Sequence, residues 1–214
     1  MTKPLAVIVG AGPGIGMAVA RRFHLGGFRV AVVSRPSDPL AAFQASVDGL
    51  ALGADLAREE QLQDALAAIE AWGGLPEVLV CNASAGVPGP AAELSPARLL
   101  DGLQVSVGSA LAAVRWALPA MRAAGRGTLL FTGGGLALKP EAGLASAALG
   151  KAALRSLALS LGQELAPEGI HAATVTVCGF VRAGTPLSPE RVAQTFWELH
   201  LQNKGSWEIE QSLH

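Results

Sequence analysis

The sequence predicts an α/β protein: a doubly wound, mostly parallel sheet of six to seven strands with helices on both faces. Three observations predict it. Short apolar runs alternate with segments of helical periodicity along the chain. The strand-like runs are near-continuously apolar, as strands covered on both faces are. A glycine-rich turn separates the first such run from the first helical segment. Right-handed crossovers then wind helices over both faces, and ligands of such folds bind outside the carboxyl ends of the strands.

The elements follow in order. Leu5 to Val9 is a compact β-prone run and Ile15 to Leu25 a helix. Arg29 to Ser34 is a second strand, and Leu50 to Ala54 a weaker third. Glu59 to Trp72 is a helix, with Leu62, Leu66 and Ile69 at helical spacing. Val78 to Cys81 is a fourth strand. Leu99, Leu103, Val107, Leu111, Val114 and Leu118 predict an apolar stripe on one long helix. Thr128 to Thr132 is a fifth strand, Leu144 to Leu165 a long helix and Ile170 to Val177 a sixth strand. Arg191 to Leu201 is a last helix, and Trp207 to Glu210 a short edge strand.

Composition narrows the class. With 214 residues, half of them hydrophobic and 15% charged, the chain reads as one domain over residues 1–214 with a sizeable core. A formal net charge of −1 argues against nucleic acid as a partner. Two cysteines, Cys81 and Cys178, fit a reducing, cytoplasmic setting. Lys3 and the apolar run after it have the outline of a signal peptide, but Gly10, Gly12, Gly14, Gly16 and Pro13 interrupt a hydrophobic helix. No uninterrupted apolar stretch of about 20 residues predicts a membrane span. The four histidines show no metal-ligand spacing, so no metal is expected.

The turn after the first strand reads Gly10-Ala11-Gly12-Pro13-Gly14-Ile15-Gly16. Glycines there permit a tight turn, a close backbone approach to a pyrophosphate and close packing of helix on strand. The helix N-terminus adds free N–H groups and a positive dipole end. Strand before and helix after are the context in which such a motif means dinucleotide binding.

Here the chain resembles the short-chain dehydrogenase/reductase family. The spacing Gly10-x-x-x-Gly14-x-Gly16, with Ile15 between the last two glycines, is similar to the family signature. Cys81-Asn82-Ala83-Ser84 stands where the family has Asn-Asn-Ala-Gly. Lys151-Ala152-Ala153-Leu154 is similar to the family's lysine helix. Gly169-Ile170-His171 and Cys178-Gly179-Phe180-Val181 look like the sixth strand and the turn after it. The resemblance covers about residues 5 to 185 and thins beyond, where the chain looks shorter than a typical member. It implies an oxidoreductase with a Rossmann fold, a nicotinamide dinucleotide held by Gly10, Gly12, Gly14, Ile15 and Gly16, and a homodimer or homotetramer.

The cofactor reading points to NADP, with NADPH preferred over NADH. No acidic residue closes the second strand to bind the ribose of NAD. Arg35 stands there instead, able to pair with a 2′-phosphate or to serve as a surface charge. Asp55 matches the family's adenine-contacting aspartate or caps a helix; both readings stay open. Asn82 would lie beside the adenine ribose.

The resemblance also implies a catalytic set of which little is present. The family uses a tyrosine as proton donor, a lysine four residues later on the same helix face, a carbonyl-polarising serine and a supporting asparagine. Lys151 fits the lysine. Ala147 stands at the tyrosine position, and the chain has no tyrosine anywhere. Gly134, within Gly133-Gly134-Gly135, falls at the serine position and Ser106 at the asparagine position. Ser106, Thr132, Ser146, Lys139 and Lys151 are the candidates to replace the acid. Hydroxyls are poor general acids near neutral pH, and losing a positioned acid forfeits about 10²–10⁴ in rate. Two readings follow: an NADP(H)-dependent oxidoreductase of weak or atypical activity on an unknown small molecule, or a non-catalytic cofactor-sensing or regulatory subunit. His171 is expected to be structural. Trp197, Leu199 and Trp207 are expected to pack between subunits, with lining of the substrate side as the alternative.

Overall fold

The computed structural model describes residues 3–37, 40–43 and 49–214. Seven strands form one sheet: β1 (Leu5–Val9), β2 (Arg29–Ser34), β3 (Gly49–Gly53), β4 (Val78–Cys81), β5 (Gly127–Gly134), β6 (Ile170–Val177) and β7 (Glu210–Leu213). Their order is β3-β2-β1-β4-β5-β6-β7, and every neighbouring pair is parallel. The winding reverses between β1 and β4, which opens a crevice at their carboxyl ends. The helices are α1 (Ile15–Leu25), α2 (Glu59–Gly73), α3 (Pro96–Leu103), α4 (Ser109–Ala124), α5 (Ala145–Leu165) and α6 (Pro189–His200). Residues 40–43 are also helical. Among the described residues, no helix is long and apolar enough to cross a membrane.

Side chains alternate across each strand, so one apolar run feeds two cores. Val7, Val9, Leu79 and Leu129 face α2, α4 and α5, meeting Leu62, Ala113 and Leu154. Ala6, Ile8, Val30 and Leu130 face α1 and α6, meeting Phe23 and Phe196. This doubly covered parallel sheet is the architecture expected from the sequence.

Several bounds move by a residue or two, β5 running on to Gly134 rather than ending at Thr132, and two expectations shift further. The predicted stripe from Leu99 to Leu118 does not lie on one straight helix. A π turn over Gln104–Gly108 joins α3 to α4. The wider turn rotates the helix face, so residues in register before it fall out of register after it. Leu111 is 42% exposed, while the small residues Gly102, Ser106, Ala110, Ala113 and Ala117 face inward. The edge strand begins at Glu210 rather than Trp207, because Trp207 stacks on His171 at 5.0 Å and pairing starts at Thr174 opposite Glu210. Arg155 holds Glu210 through two hydrogen bonds of 2.8 and 2.5 Å, and Thr176 donates a third. That cluster pins the edge to α5 and β6.

Trp197 and Trp207 pack within their own chain. Trp197 lies edge-on to Phe23 and Phe28, with the Arg22 guanidinium 4.2 Å from its ring centre. Leu199 is fully buried. The expected alternatives of subunit contact or substrate side give way to intramolecular packing, a long-range pairing of α1 with α6 that local spacing does not encode. His171 is structural as expected: it lies in β6, with Nε2 2.9 Å from the Glu208 carbonyl oxygen.

Candidate active site

The carboxyl ends of β1, β4 and β5 bring the sequence-predicted residues together. Register places Val9 beside Cys81 and Cys81 beside Phe131, so the loops after these strands start level with one another. Asn82 bridges them. Its Nδ2 donates to the Gly10 carbonyl at 2.6 Å, and its Oδ1 accepts from Thr132 Oγ1 at 2.7 Å. Lys151 Nζ donates to the Thr132 carbonyl at 2.7 Å. A continuous ladder therefore runs from Lys151 on α5 through Thr132 and Asn82 to the glycine turn.

The four glycines of that turn serve two purposes. Gly10 has φ +93°, and a Cβ there would overlap Ala83. A Cβ at Gly16 would lie 2.6 Å from Ala11 Cα and 2.8 Å from the Gly10 oxygen. These two let the chain turn and the helix approach. At Gly12 and Gly14 a Cβ would meet nothing within 4 Å. The surface above the turn is open, and no side chain caps the N-terminus of α1. An open backbone cradle with a helix terminus aimed into it fits the pyrophosphate of a dinucleotide.

Arg35 and Asp55 sit apart from the ladder, at the ends of neighbouring strands. Ser34 pairs with Gly53, and the Ala54 N–H donates to the Ser34 carbonyl. The Arg35 side chain is exposed, with no ion-pair partner among the described residues. Asp55 Oδ1 accepts from the Ala57 N–H at 3.1 Å, and the Asp55 N–H donates to Gln61 Oε1. Asp55 thus caps the turn after β3, while α2 begins later, at Glu59.

A cavity of about 560 Å³ opens beside the ladder. Its floor is Thr132 and Gly133 to Gly135, and Ile15 and Lys151 reach it from α1 and α5. Leu136, Leu144, Val177 and Val181 make its walls apolar. Leu138 and Phe180 stand at the same opening, 51% and 88% exposed. Sequence reasoning missed these apolar walls, because the region after Gly179 offers no polar pattern. Closeness of leucines from the β5–α5 connection to Val177 at the end of β6 and Val181 after it has no signature along the chain.

Lys151 faces this cavity under unusual electrostatics. Burial holds its ammonium below the ordinary lysine range, down to about 8. The Gly134 position leaves its stem clear: a Cβ there would meet Lys151 Cγ, Cδ and Cε at 3.4–3.5 Å, ordinary contact. Ala147, one helical turn earlier, presents no polar group. Gly86 packs directly on it, since a Cβ at Gly86 would lie 2.9 Å from both Ala147 N and Cβ.

Ser106 is placed differently from its expected catalytic position. It is 2% exposed and does not line the cavity. Its Oγ accepts from the Ala85 N–H at 3.0 Å and lies 3.3 Å from the Ala85 carbonyl, to which it donates. It steadies the loop after β4, which also joins the turn before α5, where the Gly89 N–H donates to the Gly143 carbonyl. Ser146 is buried outside the cavity as well. Thr132 lines the cavity, but its hydroxyl proton is committed to Asn82.

Fold and site together define a nucleotide-cofactor oxidoreductase class. Residues 4–194 match the model of the short chain dehydrogenase family, and the chain belongs to that family. It is 28% identical over 173 residues to oxidoreductase asL5 of Sarocladium schorii, covering 80% of this chain and 70% of that protein. It is 31% identical over 175 residues to a very-long-chain 3-oxoacyl-CoA reductase of Aspergillus terreus, covering 77% of this chain and about half (49%) of that relative. Among solved structures, a metagenomic short-chain oxidoreductase in complex with NADP superposes with a TM-score of 0.86 at 28% identity. That match covers 98% of this chain and 96% of the other.

Proposed function

We propose that this chain binds NADP(H) and reduces small apolar carbonyl compounds, or oxidises the matching alcohols, at a low rate. The observation that carries this reading is the ladder from Lys151 to the glycine turn beside an apolar cavity. Gly10, Gly12, Gly14, Ile15 and Gly16 would hold the pyrophosphate, Arg35 the 2′-phosphate, and Asp55 and Asn82 the adenosine end. Lys151 would hold the nicotinamide ribose. The cofactor, when bound, supplies or accepts the hydride. The chain's own residues orient the two reactants, and the apolar walls exclude water from the reacting carbon. The NADP complex of the similar metagenomic oxidoreductase supports the cofactor choice.

Ala147 and Gly134, where the family would supply tyrosine and serine, favour a second reading: a cofactor-binding regulatory subunit without turnover. Calorimetric titration with NADPH and NADH, followed by NADPH oxidation against a panel of aliphatic ketones and aldehydes, separates them. Binding with slow turnover supports the oxidoreductase. Binding without turnover supports the regulatory subunit. No binding of either cofactor rejects both.

A further inference from the structure

We infer that Lys151 is itself the group that gives up and takes back the proton at the substrate oxygen. The inference rests on the oxidoreductase reading above. It is carried by the place of Lys151 in a defined cavity and by the way its ammonium is held there.

The labile protons around the cavity are few. On β5, the Thr132 hydroxyl is spent on Asn82. On the turn after β5, Lys139 and Glu141 line the cavity from exposed positions at its rim. After β6, the Cys178 thiol faces back to the Thr176 carbonyl at 3.8 Å. His214 reaches the same cavity after β7. From α5 comes Lys151 alone, and α1 contributes Ile15. Ser106 and Ser146 are buried elsewhere.

Lys151 is held for the task. An ammonium has three N–H groups; one is given to the Thr132 carbonyl, which fixes the nitrogen above the cavity floor. Gly133 to Gly135 add no side chain between it and a bound carbonyl. Desolvation brings its pKa to about 8, close enough to neutrality for proton exchange at working pH. No neighbouring charge contributes to that shift; burial alone is its cause.

The step balances. In reduction, the carbonyl carbon accepts a hydride from the reduced nicotinamide, and the C=O π pair moves to oxygen. The oxygen takes a proton from the Lys151 ammonium and becomes a hydroxyl. Lys151 is left as a neutral amine and recovers its proton from solvent. Oxidised nicotinamide and alcohol leave. Alcohol oxidation runs the same path backwards and begins with the neutral amine.

Two measurements test this on the intact protein. Competitive acetylation of Lys151 at graded pH, read by peptide mass spectrometry without cofactor, should give a midpoint near 8 and should be suppressed by NADPH. The carbonyl-reduction kcat should fall above a midpoint near 8, while the alcohol-oxidation kcat rises through it. Lys151→Arg keeps the charge but does not deprotonate. It should keep NADPH affinity within a few fold and lose about 10² or more of kcat. An acetylation midpoint near the ordinary lysine value overturns the assignment. So does an Arg variant with wild-type kcat, or NADPH binding without turnover. Absence of NADPH binding removes the oxidoreductase reading and the proposal with it, whereas binding with flat pH profiles removes the proposal alone.

Discussion

Lys151 runs its methylene stem beneath Gly134, at a distance where a Cβ on the glycine would touch Cγ, Cδ and Cε at 3.4–3.5 Å. Room for a side chain therefore exists at that position, and its neighbour differs. A Cβ on Gly133 would lie 2.7 Å from Thr176 Oγ1 and 2.8 Å from Thr174 Oγ1, inside β6.

Gly134→Ser should accordingly fold with stability close to wild type, whereas Gly133→Ser should lose about 1–3 kcal/mol through overpacking. Urea denaturation of both variants checks this. Equal losses would mean that β5 moves as a unit and that the two glycines are not distinguished by space.

Adding the family's proton donor should raise turnover. Ala147→Tyr places a phenol one turn before Lys151, where the ammonium favours the phenolate. Together with Gly134→Ser it should raise carbonyl reduction by about 10², and the double variant should exceed either single. NADPH oxidation by the four proteins reads the effect. Gly86 packs against Ala147, so a tyrosine ring must turn away from that loop. A folded, NADPH-binding double variant with no gain would show that the ring does not reach the cavity.

Arg35→Ala should weaken NADPH by about 1.5–3 kcal/mol, the range of hydrogen bonds to charged groups, and leave NADH nearly unchanged. The side chain is exposed and free of ion pairs among the described residues, so its removal disturbs no packing. Calorimetry with both cofactors is the measurement. Equal losses would remove the arginine from the 2′-phosphate.

Acid should destabilise the fold through two histidines, His171 buried and His200 half-buried. His200 lies among Phe23, Phe28 and Trp197, with Nδ1 3.0 Å from Thr128 Oγ1. Burial, with His171 nearby, lowers it to about 4; burial lowers His171 as well. Both folded pKa values lie below the unfolded value, so the unfolded chain binds protons first as pH falls. Stability should drop between about pH 6.5 and about pH 4, by at most about 1.4 kcal/mol per pH unit per group. Tm measured across that window should fall less steeply in His200→Phe. An unchanged slope would place the titration elsewhere.

Assembly is a further proposal. Leu100, Leu111 and Leu149 are 64%, 42% and 46% exposed on α3, α4 and α5. We propose that these helices pair across a two-fold axis in a homodimer or homotetramer. Light scattering at micromolar concentration should give a multiple of the chain mass, and Leu111→Glu with Leu149→Glu should give the monomer. A monomeric wild type would refute it.

The sequence by itself determined the sheet. Strands covered on both faces must be apolar throughout, so Leu5 to Val9, Arg29 to Ser34, Val78 to Cys81 and Ile170 to Val177 were legible to the residue. The glycine turn was legible because the backbone turn at Gly10, with φ +93°, and the close approach of Gly16 to Ala11 are local, whereas the crowding of Gly10 by Ala83 is not. Tertiary structure decided the rest, because it depends on contacts between distant segments. Spacing did not reveal the π turn that turns Leu111 outward, since only packing of α3 and the π turn against α5, and of α4 on the sheet, selects the small-residue face. Nor did it reveal that Asn82 ties Gly10 to Thr132, or that Ser106 is spent on Ala85. Lys151 was visible as a lysine, but its bond to Thr132 and its desolvation arise only when β5 and α5 meet. A pKa belongs to an environment, and that environment is assembled from loops far apart in the chain.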